Sequence, residues 1–385
     1  MKILNQKEIN NMLIEIHMLK NYASSDLNRD DTGSPKSCVF GNVMRGRISS
    51  QCLKRSWRTS ELFKKEMEGN IGIRTRRMPE LVTAELKKRD VAEEYLQSAE
   101  KKLSGFANKD GKENKEGNWT NQVVIYSSDD IKAIADVVEQ KINESGNIKG
   151  FEKITAKEIE ASLKNAKTRP ISLDIALFGR MVTSDAFSNV EASMQVAHAF
   201  STNKVVMETD FFTAMDDLIN GTDETGSSMM GDIDYNSSCY YLYASLDISK
   251  LKDNLKNSED VEEIIKKAVP VILQTMVYMN PSGKQNSFAA HSLPAAVLVE
   301  CKDFPVPVSY ANAFVKPAKA SADTDLITES ENKLIEYVNK TDHAFELPVK
   351  KRFWFCSDET LKINNADICD TFPKLIKGVS DCLTV

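Results

Sequence analysis

The sequence predicts an α+β fold in which a sandwich of strands and helices is interrupted by two large insertions. Three observations predict it. Residues 13–19 and 240–248 alternate apolar and polar positions as strands do, an amphipathic helix follows the first of them, and residues 69–163 form a helical block too polar to be core.

The elements follow in order. Ile14, Ile16 and Met18 share one side of a half-buried first strand. Residues 21–35, rich in Asn, Asp, Ser and Gly, form a loop, after which Ser49 or Ser50 stands where a helix N-cap belongs and predicts a helix to about residue 67. The polar helical block is broken at 104–121 by a run of Gly, Asn, Lys and Glu that marks a surface loop. Residues 171–178 are compact and apolar, and 185–200 has helical spacing with few charges. Between 201 and 236 the composition shifts to Asp, Thr, Gly and Met, punctuated by Gly221, Gly226 and Gly231, which predicts a protruding loop or hairpin. Leu242, Ala244, Leu246 and Ile248 then line one face of a second strand. A helix over 258–279, a loop over 280–286 and a strand over 295–300 come next; 316–325 is linker-like, and 325–339 and 366–383 are helical. Strand, helix, strand, helix, strand is the order of a ferredoxin-like, RRM-like sheet, a common platform for single-stranded RNA, although fold alone assigns no function.

The chain has 385 residues, 50 Lys plus Arg against 56 Asp plus Glu, and a net charge of −6. With 41% apolar and 28% charged residues it can bury a core, and disordered, collagen-like, coiled-coil and low-complexity classes are excluded. The first 20 residues lack the unbroken apolar stretch of a signal peptide. The longest apolar run, 268–279, is interrupted by Pro270 and Gln274 and is short for a bilayer span, so a soluble cytoplasmic protein is expected. Seven scattered cysteines without a C-x-x-C pair, and four dispersed histidines, point to no disulfide framework, metal or cofactor. No P-loop, G-x-S-x-G, H-E-x-x-H or G-x-G-x-x-G motif occurs.

Residues 45–60, RGRISSQCLKRSWRTS, hold five basic residues and no acidic one within an acidic chain. At helical spacing Gln51, Lys54, Arg55 and Arg58 fall on one side, and Cys52, Leu53, Trp57 and Phe63 on the other. One face packs while the other offers cations, and the free N–H groups near Ser49 to Gln51 add the positive end of a helix start. A polyanion backbone is the ligand this pattern suits. The alternative is a solvated basic face with ordinary salt bridges.

The strings LNRDD (27–31), RISSQCLKRSWR (47–58), LDIALFGRMVTS (173–184), DFFTAMDDL (210–218), KQNSFAAH (284–291) and SYANAF (309–314) occur in this order. In these strings the chain resembles the CasC family, the repeated backbone subunit of type I-E CRISPR Cascade. The resemblance spans most of residues 14–314 and is looser over 69–160 and after 316. It implies a right hand: a palm from 10–68, 166–200 and 237–385, helical fingers from 69–165, and a thumb hairpin from 201–236. It implies copies stacked along a guide RNA, each thumb over its neighbour's palm. Target DNA pairs with the guide, other Cascade subunits join, and a separate nuclease cuts, the subunit itself being non-catalytic. Residue by residue, it implies Arg29, Ser49, Gln51, Lys54, Arg55 and Arg58, with Arg47 beside them, at the guide's phosphates. Met181 is implied against the distorted guide, and Phe212 and Thr213 as a wedge between nucleotides, consistent with the tolerance of apolar wedges and stacking for any base. For Met181 and Phe212 the alternative is plain core.

In the loop PSGKQNS, Gly283 offers close backbone approach and Lys284 a cation for phosphate; a solvated turn is the alternative. Lys149, Lys153 and Lys157 recur every four residues as a cationic stripe on a finger helix facing target DNA, or as a salt-bridged surface with Glu152, Glu158 and Glu160. Two rival functions remain open. A metal-dependent ribonuclease like the type III relatives would use Asp26, Asp30 and Asp31, residues equally suited to Asx turns. A free-standing RNA-binding protein would bind without forming an assembly.

Overall fold

The computed structural model describes residues 12–108, 110–163, 167–184, 186–215 and 227–383. The chain opens with β1 (Leu13–Ser25), β2 (Ser37–Phe40), β3 (Val43–Ile48), α1 (Ser50–Arg58) and α2 (Glu61–Glu66). There follow β4 (Ile73–Thr75), α3 (Met78–Lys87), α4 (Glu93–Leu103), β5 (Val124–Tyr126), α5 (Ser128–Ser145), α6 (Ile148–Phe151), α7 (Ala156–Ser162) and α8 (Leu173–Phe178). Next come β6 (Met194–Val196), β7 (Ala199–Ser201), β8 (Glu208–Met215) and β9 (Ser227–Asp247). The last part holds α9 (Ile248–Leu255), α10 (Val261–Tyr278), α11 (Gln285–Phe288), β10 (Ala296–Lys302), a 3-10 turn (Ala311–Phe314), α12 (Leu326–Phe345), β11 (Lys351–Cys356), β12 (Asp367–Ile368) and α13 (Phe372–Cys382).

Two compact units result. The first comprises Met1–Phe63, Gln195–Asp247 and Lys266–Val385. It is built on a mostly antiparallel sheet in the order β12-β11-β10-β1-β9-β7-β3-β2, with β6 and β8 also pairing with β9. Strand β1 is central, antiparallel to β10 from Leu13↔Lys302 to Leu19↔Ala296 and to β9 along its other edge. Leu19, Tyr241, Leu298 and Trp354 of the sheet pack with Leu334 and Val338 of α12 in one core.

Because β1 is central, it is covered on both faces rather than half-buried as its alternation predicts. Ile14, Ile16 and Met18 are buried on one side, and Glu15 and His17 on the other. Partners meet the polar atoms of this pair except His17 Nε2, which has none among the described residues. Glu15 accepts from Lys302 and Tyr243, His17 Nδ1 lies 2.8 Å from the Tyr241 hydroxyl, and Glu300 accepts from Arg352 Nε at 2.7 Å and from Tyr310 at 3.0 Å. Complete burial favours the uncharged ring and pushes the His17 pKa down to about 3.

The second unit comprises Lys64–Met194 and Ile248–Ile265. Its core joins Met78, Val82 and Leu86 of α3, Leu96 and Leu103 of α4, and Ile134 and Val138 of α5. Of 166–200, expected in the palm, residues 167–184 and 186–194 fall in this unit. The Leu173 N–H donates to the Asn70 carbonyl, Asp174 accepts from the Gly72 N–H at 2.8 Å, and Arg180 pairs with buried Asp130.

Three local expectations need correction. The single helix to residue 67 is two. The hydroxyls of Thr59 and Ser60 take the Arg55 and Trp57 carbonyls and end α1, and Ser60 Oγ then accepts from the Phe63 N–H in the first turn of the next helix. Of 185–200, the described residues 186–200 are not helical: β7 is inserted between β3 and β9, and the Phe200 ring packs on Phe40, Tyr241 and Phe314. Lys149, Lys153 and Lys157 do not share one helix, because Thr155 caps α7 in a reciprocal box with Glu158 and separates it from α6. Among the described residues no helix is long and apolar enough to cross a membrane.

Candidate nucleic-acid interface

Helix α1 begins where the hydroxyl chemistry of Ser49 dictates. Ser49 is extended (φ −68°, ψ 147°), and its Oγ accepts from the Cys52 N–H at 3.2 Å. The Ser49 N–H donates to Asn28 Oδ1 at 2.8 Å, which stitches the loop carrying Arg29 onto the helix start. That loop is further tied down by the Lys36 N–H on the Asn28 carbonyl and the Arg47 N–H on the Lys36 carbonyl, each at 2.8 Å. Leu53 and Trp57 are buried, while Gln51 and Arg55 are exposed and Lys54 and Arg58 half-buried on the opposite face. Burial of the Lys54 stem holds its ammonium pKa below the ordinary value.

Of the five cations of 45–60, Lys54, Arg55 and Arg58 lie on α1, whereas Arg45 and Arg47 lie on β3 and differ in depth. Arg45 points inward and is completely buried. Its guanidinium donates to the carbonyls of Ser201, Thr202, Phe314, Val315 and Phe40 at 2.6–3.3 Å, joining three loops as a structural clamp. Arg47, two residues on, is half-buried, with Nε on the Ser37 carbonyl at 3.2 Å and a terminal nitrogen 2.9 Å from His198 Nδ1. His198 is exposed, and its pKa is lowered by partial burial and then by the Arg47 and Lys36 charges. Lys36 thus joins the cationic neighbourhood, with the uncharged His198 ring inside it, although the sequence marks neither. Their signal, a lysine and a histidine in uncharged surroundings, carries nothing until the sheet brings them together.

Arg29 is exposed, pairs antiparallel with Pro35 across its turn, and lies 3.8 Å from Asp26. Asp30 is committed to that turn. Its Oδ1 accepts from the Thr32 N–H, the Thr32 hydroxyl and the Ser34 N–H, bonds that lower its pKa, with Thr32 the foremost. Lys284 has left-handed backbone (φ 48°). The close backbone approach expected at Gly283 is present: a Cβ there would stand 2.4 Å from the Leu27 carbonyl oxygen. Among the described residues no group of three or more His, Cys, Asp or Glu is placed to hold a metal ion.

The second cluster of implied residues lies on the β8–β9 hairpin, whose tip, 216–226, is outside the described residues. The register sets Phe212 opposite Gly231 and Thr213 opposite Met230. Phe212 is half-buried because its ring lies over the glycine, where a Cβ would come within 2.8 Å. Neighbouring Phe211, on the other face, is 61% exposed, as are Met229 at 60% and Met230 at 66%. Met181 belongs to the second unit and is 93% exposed. It is turned out because buried Arg180 is held by Asp130 on one side and the Val182 N–H by Asn189 on the other. Neither Met181 nor Phe212 is plain core.

These features define a mixed α+β protein with an outward cationic helix and a hairpin that leaves apolar side chains in solvent. The chain belongs to the CT1975-like protein family, whose model matches residues 14–378. A solved chain from a "CRISPR RNA-guided surveillance complex, pre-nicking" is similar with a TM-score of 0.80 at 25% identity, over 96% of this chain and 100% of that one. Another, from a "CRISPR RNA-guided surveillance complex", shares the fold with a TM-score of 0.60 at 22% identity, over 96% and 99%. No curated protein matches the chain.

Proposed function

We propose that this protein is a guide-RNA-binding backbone subunit of a CRISPR surveillance complex of the type I-E CasC kind. In this reading the sheet-based unit is a ferredoxin-like, RRM-like palm, the helical unit forms the fingers, and the β8–β9 hairpin is the thumb. Several copies line a guide RNA together with other Cascade subunits and present it to target DNA, and a separate nuclease does the cutting. The observation that carries it is the outward face of Gln51, Lys54, Arg55 and Arg58, on a helix whose start is stitched to the Arg29 loop. Cations and amides without a base-edge code are what a backbone reader needs when sequence is read by pairing.

Size-exclusion chromatography with and without guide-length RNA, followed by incubation of the particle with target RNA and magnesium, tests it. RNA-dependent assembly of several copies without cutting is expected. A one-to-one complex would establish the free-standing binder, and periodic magnesium-dependent cutting the ribonuclease.

A further inference from the structure

Asp26 stands at the root of the same loop, beside Arg29, and is not among the residues placed at the phosphates. It is completely buried, and neither carboxylate oxygen has a hydrogen-bond partner. An ionised carboxylate removed from water without donors is costly unless charge nearby offsets it. Arg29 supplies such charge, with Nε 3.8 Å from Oδ2, too far for a hydrogen bond. From another segment Gly283 presses on the Asp26 backbone, where a Cβ would lie 2.7 Å from the carbonyl oxygen, and this brings the Lys284 charge to bear on the carboxylate. Asp30 on the same loop and Asp234 on β9 oppose it, and Tyr240 of β9 also faces it. Two cations that bind phosphate under the reading above therefore share one buried counter-charge.

We propose that Asp26 is the counter-charge of Arg29 and Lys284 in the free protein and takes up a proton when an RNA phosphate engages them, so that RNA binding is coupled to pH. The inference rests on the RNA-binding reading. Burial, partly offset by Arg29 and Lys284, raises the Asp26 pKa to about 6 in the free protein. A phosphate beside the two cations adds negative charge next to the carboxylate and raises it further. The complex then holds more protons than its free components from about pH 6 upward, so affinity climbs as pH falls toward 6 and levels off below it. Asp26→Asn mimics the protonated form.

The test is the affinity of the full chain for a labelled single-stranded RNA oligonucleotide between about pH 5.5 and 8 at fixed ionic strength. Wild type is expected to tighten as pH falls, by at most about tenfold per pH unit for one proton. Asp26→Asn is expected to bind more tightly than wild type at the alkaline end and to lose the slope. His198→Gln, which removes the titrating group beside Arg47, is expected to keep the slope whatever its affinity. A slope that vanishes in His198→Gln and persists in Asp26→Asn overturns the proposal. Calorimetry of RNA binding to wild type in buffers of different ionisation enthalpy gives a reading independent of how the variants fold; proton uptake near neutral pH is expected, and its absence overturns the proposal. Failure of wild type to bind RNA even at low salt overturns both this inference and the reading beneath it.

Discussion

Helix α1 and the β8–β9 hairpin belong to the same unit, yet they are opposite in chemistry. The segment 45–60 carries five cations and no acid, whereas 205–236 carries eight acids (Glu208, Asp210, Asp216, Asp217, Asp223, Glu224, Asp232 and Asp234) and no base. The helix buries its apolar residues and turns charge outward, while the hairpin leaves Phe211, Met229 and Met230 in solvent. A two-stranded ribbon has no interior, so apolar side chains on either face stay exposed until a partner covers them. Under the function proposed above the two divide the labour: the helix takes the phosphates of a strand, and the hairpin, anionic and unable to attract phosphate, meets only the faces of bases.

The contrast breaks first at Arg45, which shares the basic segment but serves the core. Arg45→Met removes the guanidinium donors to the carbonyls of Ser201, Thr202 and Phe314, leaving Thr202 with the Ala318 N–H, and a loss of about 3 kcal/mol of stability or more is expected in denaturant unfolding. Arg55→Met, ten residues later on the exposed face, is expected to change stability by less than about 0.5 kcal/mol. Equal melting curves for the two variants would show that the inward clamp is not what separates them.

The next largest effect belongs to the outward face. Reversing Lys54 and Arg58 together, to Glu, is expected to weaken RNA retention on a filter by about tenfold to hundredfold at low salt while the fold persists. It is also expected to make the remaining affinity less salt-dependent, since each lost phosphate contact removes about 0.7 from the logarithmic slope for a single strand. Unchanged retention at low and high salt would dismiss this face as solvated surface.

How much of this was legible in the sequence follows from the range of the interactions involved. The Ser49 cap and the two faces of α1 depend on contacts within one helical turn, so spacing revealed them. Arg45 and Arg47 are two residues apart, and only pairing with β7 and the arrival of Phe314 from far along the chain decide which cation is buried. Strand β11, KRFWFC, carries no local signal for the same reason: its partner β10 lies about fifty residues earlier, at Ala296↔Cys356 to Cys301↔Lys351. Residues 185–200 carry a helical period, yet 199–201 form β7, because a slot between β3 and β9 outweighs weak local propensity. Phe212 was singled out by resemblance, yet alternation in a ribbon makes Phe211 its opposite-face twin, and only the position of Gly231 tells the two rings apart.

That asymmetry yields the smallest effect and the sharpest one. Phe212 already has a neighbour in its own chain, over Gly231, whereas the Phe211 ring faces solvent on the side where Asp232 and Met230 lie across the ribbon. Truncating Phe212 therefore removes an internal contact as well as any base contact, and truncating Phe211 removes only the latter. If a base stacks on the hairpin, Phe211→Ala is expected to cost about 1–2 kcal/mol in RNA affinity with no change in melting temperature. Phe212→Ala is expected to lower both, the stability by about 0.5–1 kcal/mol for the lost packing on the ribbon. Nuclease footprinting of bound RNA, set beside the melting curves, separates them. A footprint altered by Phe212→Ala and untouched by Phe211→Ala would place the bases on the Gly231 face alone and leave the Phe211 face to some other contact.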